Sequence, residues 1–191
     1  MRNNKIIWLI AGILLFIFGI YLSVFQNEPH FYTFFSVGLL IFAILAYNEM
    51  SKKNIFNSWK TKEFVIFFFA VLIISVIIDK IGIALQYWRY PHFDSVYDEV
   101  LKYLFEWVVP LTAYMILFMT GKNIFSKLLF VLSAGIITEY INSFALSWQI
   151  LKMPLLNYNF GVFNLGFVSV GYWLMALITY SIYSFVEWRR K

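Results

Sequence analysis

Long apolar runs separated by short polar stretches account for most of the chain. Six of them, at residues 6–25, 31–47, 64–88, 100–120, 128–148 and 163–188, are near or above the 20 or so helical residues that cross a bilayer. The second is the shortest. A transmembrane barrel would need segments of about ten residues alternating between apolar and polar, whereas these runs are apolar on every face, so helices are the expected element. The pattern therefore predicts one all-α membrane domain over residues 1–191, a bundle of six transmembrane helices. Arg2 and Lys5 ahead of the first run look like the start of a signal peptide. No small-x-small cleavage site follows Tyr21-Leu22-Ser23-Val24-Phe25, so this run is expected to stay as an anchor.

Composition agrees with the pattern: 62% of residues are hydrophobic, 22% aromatic and only 13% charged, half the charged share of a soluble domain. The chain has no cysteine, which excludes disulfides, thiolate metal sites, iron–sulfur clusters and a cysteine nucleophile. A net charge of +5 would suit nucleic acid only if it formed a basic stripe on a folded face. The basic residues instead lie between apolar runs and at the ends, so no nucleic-acid partner is expected and the charge is a topology signal. With six spans both termini share a side, and that side collects eleven basic residues: Arg2, Lys5, Lys52, Lys53, Lys60, Lys62, Lys122, Lys127, Arg189, Arg190 and Lys191. The other side has four, Lys80, Arg89, Lys102 and Lys152, so the termini are expected in the cytoplasm of a protein of the cell membrane. Trp88 and Trp148 then end the third and fifth spans at the exoplasmic interface, with Trp8 and Trp188 at the cytoplasmic one.

An internal echo links the third and fifth runs. Asp79 precedes Trp88 by nine residues in IIDKIGIALQYW, and Glu139 precedes Trp148 by nine in ITEYINSFALSW. Each tryptophan is followed by a proline-containing loop (Pro91, Pro154) and then by another span, as a parallel repeat of helix pairs would give. Two matching positions fit a duplication or coincidence, and both readings stay open.

Three carboxylates fall inside predicted spans: Asp79, Glu106 and Glu139. At about 1.5 Å per residue, Asp79 and Glu139 lie roughly 13 Å below their tryptophans and Glu106 roughly 10 Å below Glu99, a similar depth in the exoplasmic half. An acid there costs about 2.5 kcal/mol or more, so each should face the bundle interior, find a partner or be protonated. Three acids at one depth suggest one site. Helical spacing offers Lys102 to either Glu99 or Glu106, groups Glu139 with Asn142 and Ser143, and groups Ser75, Asp79, Gly82 and Gln86. Pro110 has no N–H for the Glu106 carbonyl four residues earlier and is expected to kink its span. The alternative is that these acids only fix helix packing.

The loop Arg89-Tyr90-Pro91-His92-Phe93-Asp94 lacks metal-ligand spacing and His30 lies in another loop, so no metal or cofactor is expected. Asn157-Tyr158-Asn159-Phe160-Gly161 reads as a polar turn. Phosphate-cradling glycine loops, a GxSxG elbow and HExxH are absent from the sequence, which argues against an ATPase, a serine hydrolase and a zinc protease.

Over about residues 65–175, the stretches IIDKIGIALQYWRYP, EWVVPLTAYMILF and GIITEYI resemble a family of small, uncharacterised multi-pass membrane proteins of endospore-forming bacteria. The first stretch also resembles the lycopene cyclase domain of carotenoid biosynthesis. In that likeness Asp79, Trp88 and Tyr90 match, Asp98 and Glu99 stand for an acidic pair that opens the next helix, and Pro110 stands for the proline that follows. The resemblance implies acid chemistry on an isoprenoid. The chain departs from it where Val96-Tyr97 replaces a proline context before the acidic pair, and where Phe163-Asn164-Leu165-Gly166 carries no acids in the second half.

Three functions use the same residues. An enzyme would use a protonated acid on an isoprenoid, with Glu139 the better proton donor and Glu106, near Lys102, the better fixed anion. A carrier would use the acids to bind a cation or exchange a proton. A non-catalytic partner or sensor would use them in a larger membrane assembly or a homo-oligomer. The first is the leading expectation: a cavity for a hydrophobic or amphipathic small molecule, with Glu139, Asp79 and Glu106 as its acids and Asn142, Ser143, Gln86, Lys102, Trp88, Tyr90, Asp98 and Glu99 as its contacts.

Overall fold

The computed structural model describes residues 2–55, 60–152 and 164–189, apart from the side chains of 2–4 and 164–170. Pro154 and the polar turn at 157–161 lie outside the described residues. The elements in chain order are α1 (Arg2–Gln26), α2 (Tyr32–Ser51), α3 (Thr61–Ala84), β1 (Trp88–Arg89), α4 (Val96–Thr120), α5 (Ile124–Ala145), β2 (Gln149–Ile150) and α6 (Asn164–Trp188). Helices α1 to α5 are long and apolar enough to cross a membrane, which makes the chain a multi-pass helical membrane protein.

Local chemistry sets the helix ends. Ser95 accepts from the Asp98 N–H at 3.1 Å while the Asp98 carboxylate accepts from the Ser95 N–H, a capping box that starts α4. Asn123 caps α5 by accepting from the Ser126 N–H at 2.8 Å. The sequence pattern carries the third and fifth spans through Trp88 and Trp148, but the helices stop at Ala84 and Ala145. Gln86 (φ 56°) and Leu146 (φ 54°) are left-handed and turn the chain back. At Gln86 the stop is a Schellman motif, with Tyr87 N–H donating to the Gly82 carbonyl and Gln86 N–H to Ile83. The turned-back segments pair as antiparallel strands, Trp88 opposite Ile150 and Arg89 opposite Gln149, so β1 and β2 tie the ends of α3 and α5 together.

Helix α4 is the centre of the bundle, packed on α2, α5 and α6, with Ala113 and Tyr114 fully buried. Over Lys102–Val108 it is π-helical, the Val109 N–H reaching back to the Leu104 carbonyl immediately before Pro110. Helices α1 and α2 form a hairpin whose backbones touch: a Cβ on Gly19 would lie 2.7 Å from the Phe35 nitrogen, and one on Gly38 2.8 Å from the Phe16 nitrogen. Helix α3 is more peripheral, resting on the π-helical part of α4 and on α6. Its positions Phe67, Val71, Ser75 and Asp79 face inward, whereas Ile73, Ile77 and Ile81 are more than half exposed. Every outward residue in that stripe is aliphatic and the buried one carries a serine and an acid, which is the inside-out polarity of a helix solvated by lipid.

Candidate functional site

Asp79 is completely buried on the inner face of α3 and is fully partnered. Its Oδ1 accepts from the Trp88 indole at 2.9 Å, and its Oδ2 accepts from the Tyr103 hydroxyl at 3.0 Å and from the Lys102 ammonium at 3.0 Å. The indole reaches back because Gly82, one turn after Asp79, leaves room for it; a Cβ there would lie 2.0 Å from the ring. Lys102 is 2% exposed and sits between the faces of Tyr90 and Tyr103, 4.4 and 4.5 Å from their centroids. Spacing within α4 offered Lys102 to Glu99 or Glu106; its ammonium instead lies closest to Asp79 on another helix, with Glu99 at 3.9 Å.

Glu139 is held by the same kinds of donor. Its Oε1 accepts from the Trp148 indole at 3.0 Å and from the Tyr172 hydroxyl at 2.5 Å. Asn142, buried one turn on, fixes the tryptophan by donating to the Trp148 carbonyl at 2.9 Å. Tyr172 lies flat over α5 because Gly135 is bare; a Cβ there would meet its ring at 2.6 Å. In both halves, then, a helix acid receives an indole from nine residues on and a phenol from the following helix, and a left-handed residue seven positions after the acid makes the reversal. The halves differ at the position one turn after the acid, Gly82 in the first and Asn142 in the second, and in their charge. Asp79 has Lys102, whereas among the described residues no cation pairs with Glu139.

Between α3, α4, α5 and α6 lies a cavity of about 420 Å³, lined mainly by aliphatic and aromatic side chains such as Ile78, Trp107, Leu111 and Met175. Two carboxyl groups reach it, Glu139 and Glu106. Both Glu106 oxygens are buried and have no hydrogen-bond partner among the described residues. A buried polar group left unpaired costs about 1–3 kcal/mol and is rare in native structures, which sets Glu106 apart from Asp79 and Glu139. Gly171 of α6 also lines the cavity, and a Cβ built on it meets no heavy atom of the described residues within 4 Å. Trp88 and Trp148 enter from the tryptophan end, so Asp79 sits directly behind one wall.

Several sequence-derived contacts lie elsewhere. Gln86 is exposed beyond the end of α3, and Ser143 is exposed with its hydroxyl donating to the Tyr140 carbonyl. Asp98 belongs to the capping box and lies 3.4 Å from His30, and Glu99 pairs with Lys80 at 2.9 Å. The pair that the cyclase likeness singles out is thus at a helix start, outside the cavity lining. Tyr90 is at the cavity, accepts from the Trp107 indole at 3.1 Å, and has its phenol pushed well above the usual range by burial. The sequence does not single out Tyr103, Trp107, Tyr114, Gly171 or Tyr172; among the abundant aromatic residues, only a position one helix away from each acid marks the two donors, Tyr103 and Tyr172. Comparison with known protein families, with curated proteins and with solved structures finds no match for this chain.

Proposed function

We propose that the protein binds an amphipathic small molecule inside the membrane, its apolar part in the cavity between α3 and α6 and its polar end against Glu139 and Glu106. The observation that carries this reading is Glu106, a buried carboxyl with no partner on either oxygen among the described residues, in the wall of a mainly apolar cavity. Ile81, half exposed on the outer face of α3, also lines the cavity, which favours entry from the lipid. The chain crosses the cell membrane six times with both termini in the cytoplasm, a topology supported by the bias of basic residues toward the terminal side. The pairs α3–α4 and α5–α6 are a parallel repeat about an axis along the membrane normal. The matching donors on Asp79 and Glu139 support this, as do the antiparallel β1 and β2, since a two-fold along the normal reverses any in-plane strand.

The test is to purify the protein in mild detergent and extract what it retains for mass spectrometry. Wild type should release an amphipathic molecule that a Gly171→Leu variant, whose new side chain fills the cavity, does not. Identical extracts from the two proteins would overturn the reading.

Cyclase-like catalysis is a second reading. A carboxyl without a hydrogen-bond partner beside an apolar cavity has the disposition needed to protonate an isoprenoid double bond. Lycopene-producing cells expressing the protein would then accumulate a cyclised carotenoid, and Glu139→Gln or Glu106→Gln would abolish it.

A further inference from the structure

The two halves share the indole and the phenol around their acids and differ at the residue before the phenol. Tyr103, which donates to Asp79, is preceded in the chain by Lys102; Tyr172, which donates to Glu139, is preceded by Gly171. In the first half the lysine stem and ammonium fill the space beside the acid, 3.0 Å from Asp79 and between two aromatic faces. In the second half the side chain is missing, and a Cβ on Gly171, which lines the cavity, meets no atom of the described residues within 4 Å. Aromatic rings remain beside the acid: Tyr172 meets Tyr114 edge-on at 5.1 Å between centroids, and the Trp148 indole N–H donates to Glu139 at 3.0 Å.

The charges follow the same division. Asp79, Glu106 and Glu139 are three buried acids, and Lys102, spent on Asp79, is the one lysine buried with them among the described residues. Among the described residues no basic side chain is in the cavity lining, which holds two carboxyl groups and aromatic side chains such as Trp88, Trp107 and Tyr172. Aromatic faces around a carboxylate in a dry site favour an ammonium over a neutral hydrogen-bond donor, because the ring quadrupoles and the carboxylate both attract positive charge there.

We propose that the cavity takes an amphipathic organic cation whose ammonium group sits beside Glu139 as the Lys102 ammonium sits beside Asp79. The proposal rests on the reading of the cavity as a small-molecule site and on the two halves being equivalent. It names the ligand's charge, which that reading leaves open.

Two probes of equal length, 4-phenylbutylamine and 4-phenylbutanol, separate the cation from a neutral donor. Their binding is measured at neutral pH to the full-length protein in nanodiscs, with empty nanodiscs as the background. The amine should bind about tenfold or more tightly than the alcohol. Glu139→Gln should remove that preference and leave the alcohol unchanged, and Glu106→Gln should reduce it. Equal binding of the two probes to wild type overturns the cation and leaves the cavity reading intact; no binding of either overturns the cavity reading itself. An amine preference that survives both glutamine variants also overturns the proposal. A second measurement does not depend on added ligand or on those variants folding. Gly171→Lys supplies the missing cation from the chain and Gly171→Met supplies a similar unbranched side chain without charge. The lysine variant should unfold later than the methionine variant and should no longer bind the amine. An unfolding midpoint equal to or below that of Gly171→Met, with amine binding retained, refutes the placement beside Glu139.

Discussion

Replacing Lys102 by methionine tests whether the first acid site is structural. Asp79 is completely buried and Lys102 nearly so, and their 3.0 Å contact is the cation's closest ion pair. Methionine keeps most of the stem's volume between Tyr90 and Tyr103 but leaves Asp79 with only the neutral donors Trp88 and Tyr103. Breaking a buried pair on one side costs about 3–5 kcal/mol in soluble proteins. In a membrane the unfolded reference keeps its helices inserted and lets polar groups find other partners, which lowers the figure, so about 2–3 kcal/mol is expected. That corresponds to a drop of roughly 30- to 150-fold in the folding equilibrium. Asp79→Asn with Lys102→Met removes both charges and retains an acceptor for the indole and the phenol, so the double variant should be more stable than Lys102→Met alone. Reversible unfolding in mixed micelles, run as a double-mutant cycle, gives both numbers. A cost below about 1 kcal/mol for Lys102→Met, or single effects that simply add, would refute the role assigned to the pair.

Gly82→Ala should expel the Trp88 indole from its seat over α3 and destabilise the fold by about 1–3 kcal/mol, read as a shift in tryptophan emission together with an earlier unfolding midpoint. Gly19→Leu should separate α1 from α2, since a Cβ already lies 2.7 Å from the Phe35 backbone, and a cysteine cross-link placed across the hairpin would then fail to form. Reporter fusions after Lys62 and Lys122 should report cytoplasm and one after Pro91 the exterior; opposite results at Lys62 and Lys191 would break the six-span topology. Tyr90, whose phenol burial pushes up, should stay neutral while exposed tyrosines ionise, a difference that Tyr90→Phe exposes in an alkaline absorbance titration. Because its folded value is raised, its contribution to stability is complete below the usual tyrosine value of about 10 and is lost as the pH climbs through the folded one.

The helices were legible because lipid demands long apolar runs, and their starts followed from ordinary capping residues. The helix ends at α3 and α5 were not: Trp88 and Trp148 look like interfacial anchors in a hydropathy pattern, and nothing in it marks Gln86 and Leu146 as left-handed. The nine-residue spacing was visible, yet its meaning was the reach of an indole back to its own acid, which depends on that reversal. Gly82, three residues after Asp79, was noted only as a member of a helix face, although its missing side chain is what makes the slot. Lys102 was assigned by intrahelical spacing, which cannot see Asp79 on a neighbouring helix. The importance of Gly171 was invisible for the same reason, because an empty space beside a glycine is a property of the packed bundle.

The pairing of β1 with β2 has a mechanical consequence. The Leu151 N–H donates to the Tyr87 carbonyl at 2.8 Å and Arg89 donates to Gln149 at 2.9 Å, so the tryptophan ends of α3 and α5 are clasped. A rigid rod clasped at one tip can move only by swinging. Displacement of α3 must therefore be smallest at Ala84 and greatest at Thr61, like one arm of a pair of tongs pivoted near its tip. Such a swing leaves the clasped end shut, moves Ile78 and Ile81, close to the pivot, only a little, and parts α3 from its neighbours most toward Thr61.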